Sequence, residues 1–561
     1  MLTRYQKTQL NNINWNEWVS ASSVRNYLLN DTLLDFVKTY KIKNINDLPK
    51  KLKQNCNNII TNKEKKINNF TSAIMEQGNL FEQQIYNQLQ RYNIIKIGNS
   101  YESRYYDNYI LTKNAMMEGY DIIYQGVLHD YKNKLYGCPD LLVRSDKVNY
   151  IFKQDLDLEK IKSPLLGDYY YIIIDIKCST LNIASNGINI HNIDSVNAFK
   201  GQLYIYNKIL NNIQGCSSNK TFIIASNYKN KNNNNFIAEV NFKDYDKKFV
   251  KLTENAIKWL KLMKSDGHNW NLLPQPSHLE LYPNMCSQND YYGIKKQLSK
   301  KCNEITSIYH CGVKHRNNCH KRNINNYMDE KCNSEILDVP KKKAKIIDQI
   351  LNIERGDNLI HLDDFNKKKL NFLKNKNVYY LDFEACQELY KINGKYYINM
   401  IGVGWIMNNK WHYKNFFMKE LTETEEKNIF KQFNKFIKTN SNDPLFIHWH
   451  NYEKTNYNRL KNKYNLFNYN FFDLCNFFIN NSIIVKNSKN FKLKNVAKSM
   501  YMHNMITTTW DNNIINGLDA MYEMFNMYQN NNFTNLNTVI KYNEVDCKVM
   551  YDMIKYLNNK N

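Results

Sequence analysis

The chain has 561 residues, 43% hydrophobic and 14% aromatic, which is enough apolar surface for folded cores in about two to four domains and excludes wholesale disorder. Its 17 glycines and 8 prolines exclude collagen-like or low-complexity architecture. Lysine and arginine number 77 against 53 acidic residues, a formal charge of +24, which favours a polyanionic partner, nucleic acid first. Part of that charge follows from a general richness in lysine, asparagine and isoleucine. No run of about 18 apolar residues is present, so no membrane span is expected. The start, Met1 to Lys7, lacks the apolar core of a signal peptide. The 12 cysteines are scattered without tight pairs and read as reduced thiols, so a cytoplasmic or nuclear protein is expected rather than a secreted one.

In chain order, Ser22 or Ser23 is placed to cap an amphipathic helix from Val24 toward Tyr40. A second helix is expected over Thr71 to Leu89. Strands follow at Gly137 to Val143 and Tyr169 to Ile176, then a helix at Ala198 to Leu210 and a strand at Thr221 to Ala225. This alternation predicts an α/β domain over 1–270. Residues 271–375, opened by Leu273-Pro274-Gln275-Pro276 and containing the basic connector Lys341-Lys342-Lys343, read as a small helical middle region. The pattern resets over 376–561. Strands are expected at Val378 to Phe383, Tyr396 to Trp405 and Lys410 to Phe417. A helix opened by the capping box Thr422-Glu423-Thr424-Glu425 and a strand at Leu445 to Trp449 come next. Helices at Leu493 to Met500, Leu518 to Tyr528 and Leu536 to Leu557 complete the region.

Two sets of carboxylates carry the chemistry. In Tyr169-Tyr170-Tyr171-Ile172-Ile173-Ile174-Asp175-Ile176-Lys177 an apolar strand ends in charges, and the period of two puts Asp175 and Lys177 on one face. Gly137-Cys138-Pro139-Asp140 places another carboxylate at a strand lip, and Glu82 lies one helical turn from Gly78. Three carboxylates and a lysine suit a hard divalent cation, Mg²⁺ or Mn²⁺, for phosphodiester hydrolysis. Metal-bound water is acidified, and the lysine orients or deprotonates it or stabilises phosphorane charge. This half of the sequence resembles the RecB-like branch of the PD-(D/E)XK nucleases. Pro139-Asp140 and Asp175-Ile176-Lys177 match its signature, Gly78-Asn79-Leu80-Phe81-Glu82 its upstream helix, and Gln202-Leu203-Tyr204-Ile205-Tyr206 its Q-x-x-x-Y helix. The resemblance implies a restriction-endonuclease-type core with Glu82, Asp140 and Asp175 as metal ligands and Lys177 as catalytic lysine. It also implies substrate positioning by Gln202 and Tyr206, with Lys200 helping.

The second set begins at Val378-Tyr379-Tyr380-Leu381-Asp382-Phe383-Glu384, where Asp382 and Glu384 share one face of a strand. Tyr542 and Asp546 lie on one side of a C-terminal helix, and His448-Trp449-His450-Asn451-Tyr452-Glu453 ends in a carboxylate between them. This resembles the DnaQ-like, RNase H-like DEDD exonucleases of the Tyr-x-x-x-Asp subtype. It implies metal binding by Asp382, Glu384 and Asp546 and water orientation by Tyr542. Glu453 stands where the group has Asp, and its longer side chain can still reach a metal, so it is a further candidate ligand. Asp473 reads as a helix-capping aspartate rather than a ligand. A RecB-like nuclease followed by an RNase H-like exonuclease resembles a fused family of nucleases found in bacteria and large DNA viruses, and the composition fits a viral member.

Some RecB-like relatives hold an iron–sulfur cluster. Cys56, Cys286, Cys302, Cys311, Cys319 and Cys332 include no C-x-x-C, so no cluster is expected. Cys311, His315, Cys319 and His320 read as ordinary residues of a basic segment rather than a zinc site. In that segment Arg316, Lys321 and Arg322 are candidate phosphate contacts. No Walker loop is present. The expectation is a metal-dependent nuclease with two sites acting on DNA in repair, recombination or genome processing. The alternatives are a nucleic-acid-binding scaffold with one or both sites inactive, and an exonuclease acting on RNA.

Overall fold

The computed structural model describes residues 13–42, 69–193, 195–230, 237–289, 291–362, 367–387, 395–510 and 517–559. Cys56 lies outside them. The chain forms two compact units, one made of 1–65 and 75–302 and the other of 66–74 and 303–561. Helices of the 271–375 stretch fall on both sides of this division. Ile294 and Leu298 of Tyr292–Lys301 join the first core, and Ile346, Ile347 and Ile350 of Lys341–Arg355 join the second. Lys341-Lys342-Lys343 is the first turn of that last helix rather than a connector.

The element order is α1 (Asn69–Leu89), which belongs to the first unit from Met75 on, then within that unit β1 (Ile94–Lys96), β2 (Ile122–Tyr124), β3 (Leu141–Arg144), β4 (Tyr171–Asn182), α2 (Val196–Gln214), β5 (Lys220–Lys229) and β6 (Ala238–Asn241). The six strands form one mixed sheet in the order β1-β2-β3-β4-β5-β6. Pairing is parallel between β1 and β2 and between β4 and β5, and antiparallel elsewhere. The central strand β4 is apolar on both faces, and Ile172, Ile173 and Ile174 are at most 1% exposed. Near-continuous apolar sequence is what a strand covered on both faces requires, and each such side chain contributes roughly 1.5–3 kcal/mol by burial.

Two expected elements are broken by backbone chemistry. The helix anticipated from Val24 to Tyr40 is interrupted after Arg25–Leu28, where Asn30 adopts a φ of 55°, and resumes at Leu33–Thr39. Asp31, just past the break, is buried and pairs with Lys295 at 2.7 Å. The strand expected at 137–143 is two strands, Leu135–Gly137 in a small separate sheet and β3. Pro139 between them has no N–H for a ladder.

In the second unit the order is β7 (Asn377–Gln387), β8 (Tyr396–Met407), β9 (Lys410–Phe417), α3 (Glu423–Asn440), β10 (Pro444–His448), α4 (Tyr452–Tyr464), β11 (Asn470–Asp473), α5 (Leu493–Met502) and α6 (Leu536–Asn559). The sheet order is β9-β8-β7-β10-β11, antiparallel through the meander and parallel from β7 to β10 and β10 to β11. Thr422 caps α3 by accepting the Glu425 N–H at 3.2 Å, while the Glu425 carboxylate turns back to the Lys419 N–H rather than to Thr422. Apolar residues of α3, including Phe430, Phe433 and Ile437, cover one face of the sheet with Leu381, Phe383 and Phe446. On the other face α6 buries Cys547, Met550 and Met553 against Tyr380 and Ile447. The sheet is thus packed on both sides, and the charges of Asp382 and Glu384 stand inside β7, and those of Asp175 and Lys177 inside β4, rather than at the strand ends expected from the sequence.

Candidate functional site

In the second unit, β7 projects Asp382 and Glu384 to one face while Phe383 enters the core on the other. Oxygen atoms of Asp382, Glu384 and Asp546 all lie within 4.8 Å of one another. Asn543, a residue with no place in the sequence motifs, builds the floor. Its Nδ2 donates to Asp382 Oδ2 at 2.6 Å and to Glu384 Oε1 at 3.4 Å, and its Oδ1 accepts the Tyr413 hydroxyl at 2.9 Å. Gly402 of β8 pairs directly with Asp382, and a Cβ there would fall 1.6 Å from Asn543 Oδ1. The glycine therefore lets α6 approach the strand.

Burial and mutual repulsion raise the proton affinity of the whole cluster. Glu384 is pushed up to about 8 and Asp546 to about 7, both chiefly by desolvation. Asp382 is held well above the carboxylate range by burial and then by the charges of Asp546 and Glu384. The Tyr542 phenol is driven well above its ordinary value by burial and the charge of Asp546, so it is neutral near pH 7 and acts through its O–H. Lys494 of α5 works against the repulsion, holding down all three carboxyls.

Glu453, in the first turn of α4, is buried, and its charge bears on both Asp382 and Glu384. Its Oε2 has no hydrogen-bond partner among the described residues and lies 3.6 Å from Nδ1 of the fully buried His448, beyond ordinary hydrogen-bond length. Asp473 caps the helix Leu474–Asn480 by accepting the Asn476 N–H at 3.0 Å. A dense carboxylate set raised by self-repulsion, with an orphaned buried oxygen beside it, is the donor set that a hard divalent cation satisfies.

The first unit gathers the other predicted residues. Asp140 accepts the Ile176 N–H at 2.6 Å, which pins the lip of β3 to β4. Burial and then the charge of Asp175 hold its carboxyl well above the usual range, with Glu82 adding to the effect. Glu82 accepts from the Tyr124 hydroxyl and the Gln125 amide, each at 2.8 Å. Lys177 Nζ meets Asp175 Oδ2 at 2.5 Å. Burial works to lower the Lys177 pKa, but Asp175 and Asp140 outweigh it and raise the net value. Lys177 is therefore an ammonium in this arrangement. Gln202 donates to the Tyr206 hydroxyl at 2.8 Å, and that hydroxyl donates to the Cys138 carbonyl at 3.2 Å. A Cβ on Gly137 would fall 2.3 Å from the Tyr206 ring. Tyr206 is buried and thus braces the Cys138-Pro139-Asp140 turn. Among the described residues the compact three-ligand spacing is met by Asp382, Glu384 and Asp546, not by this wider set.

Two expected nucleic-acid-binding residues, Lys200 as an aid to substrate positioning and Arg316 as a phosphate contact, are corrected. Lys200 is fully buried, and its Nζ donates to Asp246 at 2.6 Å, to the Ile190 carbonyl and to Asn192. Arg316 is 3% exposed and paired with Glu304 at 3.2 Å. Each is consumed by a carboxylate of its own fold, since a buried charge is retained only when paired. Lys321 and Arg322 are exposed just after the helix Val313–His320. Of the cysteine and histidine set nearby, Cys311 and Cys319 lie in the second core, His315 accepts the Gly312 N–H at 2.9 Å, and Cys319 Sγ is 4.0 Å from Cys332 Sγ.

Among the described residues no helix is long and apolar enough to cross a membrane. Comparison with curated proteins gives no match. Residues 379–558, 180 of the 561, match the family model RNase_H_2 of the RNase H superfamily. The match begins in β7, just before Asp382, and ends in α6 beyond Asp546. The C-terminal part of the chain is thus similar to RNase H-superfamily domains, and its clustered carboxylates fit a metal ion, which suggests nuclease-type chemistry on nucleic acid.

Proposed function

We propose that the protein is a metal-dependent nuclease that hydrolyses DNA phosphodiester bonds at two sites. Its domains would be a RecB-like PD-(D/E)XK domain over 1–270, the middle region 271–375, and a 3′–5′ exonuclease of the DEDDy kind over 376–561. One observation carries the reading: three carboxylates from two distant segments converge within 4.8 Å inside the stretch matching the RNase H superfamily. At the C-terminal site Asp382, Glu384 and Asp546, joined by Glu453, would hold Mg²⁺ or Mn²⁺. Glu82, Asp140 and Asp175 would do so at the first. Bound there, such ions polarise the phosphate and acidify water.

The chain's own groups do the rest. Asn543 fixes the rotamer of Asp382. Tyr542 presents a neutral O–H that orients the attacking water. At the first site Lys177 offers its ammonium to the charge that develops on the phosphorane. Gln202 positions the strand, and Tyr206 holds the turn that carries Asp140. Exposed Lys321 and Arg322 would add salt-dependent phosphate contacts. The mixed sheet with α2 crossing from β4 to its parallel neighbour β5 supports the RecB-like assignment, as does the Lys177–Asp175 contact. A role in repair, recombination or genome processing would follow from that assignment.

A second reading has a specific motive. Glu453 leans toward His448, so the C-terminal site would grip a strand without cutting it. End-labelled single- and double-stranded DNA and RNA, each with Mg²⁺, Mn²⁺ or EDTA, decide between them. The proposal predicts metal-dependent cleavage of DNA with mononucleotides released from 3′ ends. Tight binding without any chelator-sensitive cleavage refutes it, and release of mononucleotides from RNA alone moves the substrate to RNA.

A further inference from the structure

The C-terminal cluster carries a cation that none of its sequence motifs contains. Lys494 sits in the first turn of α5, and its Nζ lies 4.2 Å from the centroid of the Tyr542 ring and 5.5 Å from that of Trp510. Both rings belong to the site's wall. Tyr542 is one helical turn before Asp546 on α6, and Trp510 adjoins Asp546 closely enough to lower its proton affinity. Lys494 thus reaches the carboxylates from a third element and is only partly buried. In this it differs from Lys200, whose ammonium is fully enclosed with Asp246. An ammonium within reach of two aromatic rings is attracted to their faces while staying only partly buried. It has also lost rotamer freedom before any ligand arrives.

Charge arithmetic says what such a group is for. Asp382, Glu384, Glu453 and Asp546 balance two divalent ions when all four are ionised. A phosphodiester entering that balanced site brings one further negative charge. We infer that Lys494 is a substrate-contacting residue of the C-terminal site, its ammonium binding a non-bridging oxygen of the phosphodiester presented beside Tyr542. The inference rests on the nuclease reading of that site.

The test uses the full chain in an Asp175→Ala background, which isolates the C-terminal site. Single-turnover cleavage of a 3′-labelled single-stranded oligonucleotide is measured against oligonucleotide and Mn²⁺ concentration for the parent, K494M, K494Q, K494R and D382A. Thermal melting selects the folded variants, and K494Q replaces K494M if the latter melts early. The expected result is a rise of about 10-fold or more in half-saturating oligonucleotide for K494M, the size of one charge-assisted contact, with half-saturating Mn²⁺ unchanged and most of the loss recovered in K494R. A K494M deficit that disappears when Mn²⁺ is raised overturns the inference, because Lys494 would then act only on the metal-binding carboxylates. Unchanged saturation by oligonucleotide overturns it as well. Failure of the underlying reading looks different: D382A then cleaves like the parent, or the parent shows no Mn²⁺-dependent cleavage.

Discussion

The two carboxylate clusters solve the same electrostatic problem in different ways. In the first unit the charge is answered in part from within: Lys177 contacts Asp175 at 2.5 Å and Glu82 accepts two hydrogen bonds from Tyr124 and Gln125, while Asp140 is still held well above the usual range by burial and by Asp175. In the second unit three carboxylates crowd within 4.8 Å, and Glu453 Oε2 has no hydrogen-bond partner among the described residues. The neutral Asn543 supplies the donor, and Lys494 acts from α5. The difference teaches that an ammonium built into a carboxylate cluster offsets part of its repulsion. The repulsion that remains is what a divalent cation relieves.

The largest effect that can break this comparison is loss of a ligand. Asp382→Ala lowers 3′-end mononucleotide release by at least about 100-fold, read by gel electrophoresis of labelled DNA, while products of the first site persist. The second effect concerns the buried cations. Lys200→Ala strands Asp246 and destabilises the first unit by about 3–5 kcal/mol, whereas Lys321→Ala changes stability within about 0.5 kcal/mol. Urea unfolding measures both. A Lys200→Ala protein of full stability that binds DNA poorly would restore the substrate-positioning role.

Gly402→Ala and Gly137→Ala are a matched pair. Each drives a Cβ into the residue that braces a cluster, Asn543 or Tyr206, and costs about 1–3 kcal/mol by overpacking. Activity falls at the site concerned and not at the other, as site-specific product patterns would record. The smallest effect is pH dependence. Glu384 and Asp546 titrate at about 8 and about 7 when folded, against roughly 4.3 and 3.9 in an unfolded chain. Between those limits the folded state holds protons that the unfolded state has lost. Metal-free stability therefore falls as pH rises from about 4 to about 8. Mn²⁺ affinity climbs over pH 6 to 8, because ligation displaces those protons. Differential scanning calorimetry at pH 5.5 and 8, with and without Mn²⁺, checks both signs, and Asp382→Asn flattens the metal-free slope.

The acidic positions within β4 and β7 were legible because period-two alternation exposes any charge that interrupts an apolar run, and the strand meander was legible for the same reason, but both strands run on past their charges. Asp473 was read correctly as a cap from its place before a helix. The sequence reading passed over α4, where the buried stripe is only Tyr457, Leu460 and Tyr464 in a run rich in asparagine and lysine. It also passed over the short strand β11 that follows. Lys200 and Arg316 were misread because their partners, Asp246 and Glu304, lie 46 and 12 residues away, and local spacing cannot show a carboxylate brought in by folding. Asn543, Gly402 and Lys494 escaped notice because their roles exist only once α5, α6 and β8 are packed together. One signal was present: Gly402 and Gly404 interrupt the β-branched run of β8, and a glycine inside a strand marks a close approach.

The most direct measurement is cleavage of one end-labelled single-stranded DNA by four full-length proteins: wild type, Asp175→Ala, Asp382→Ala and the double variant, in Mn²⁺ with an EDTA control. Two metal sites predict that each single variant loses one product pattern and keeps the other, and that the double variant cuts nothing. Metal-dependent cleavage surviving in the double variant would contradict the account.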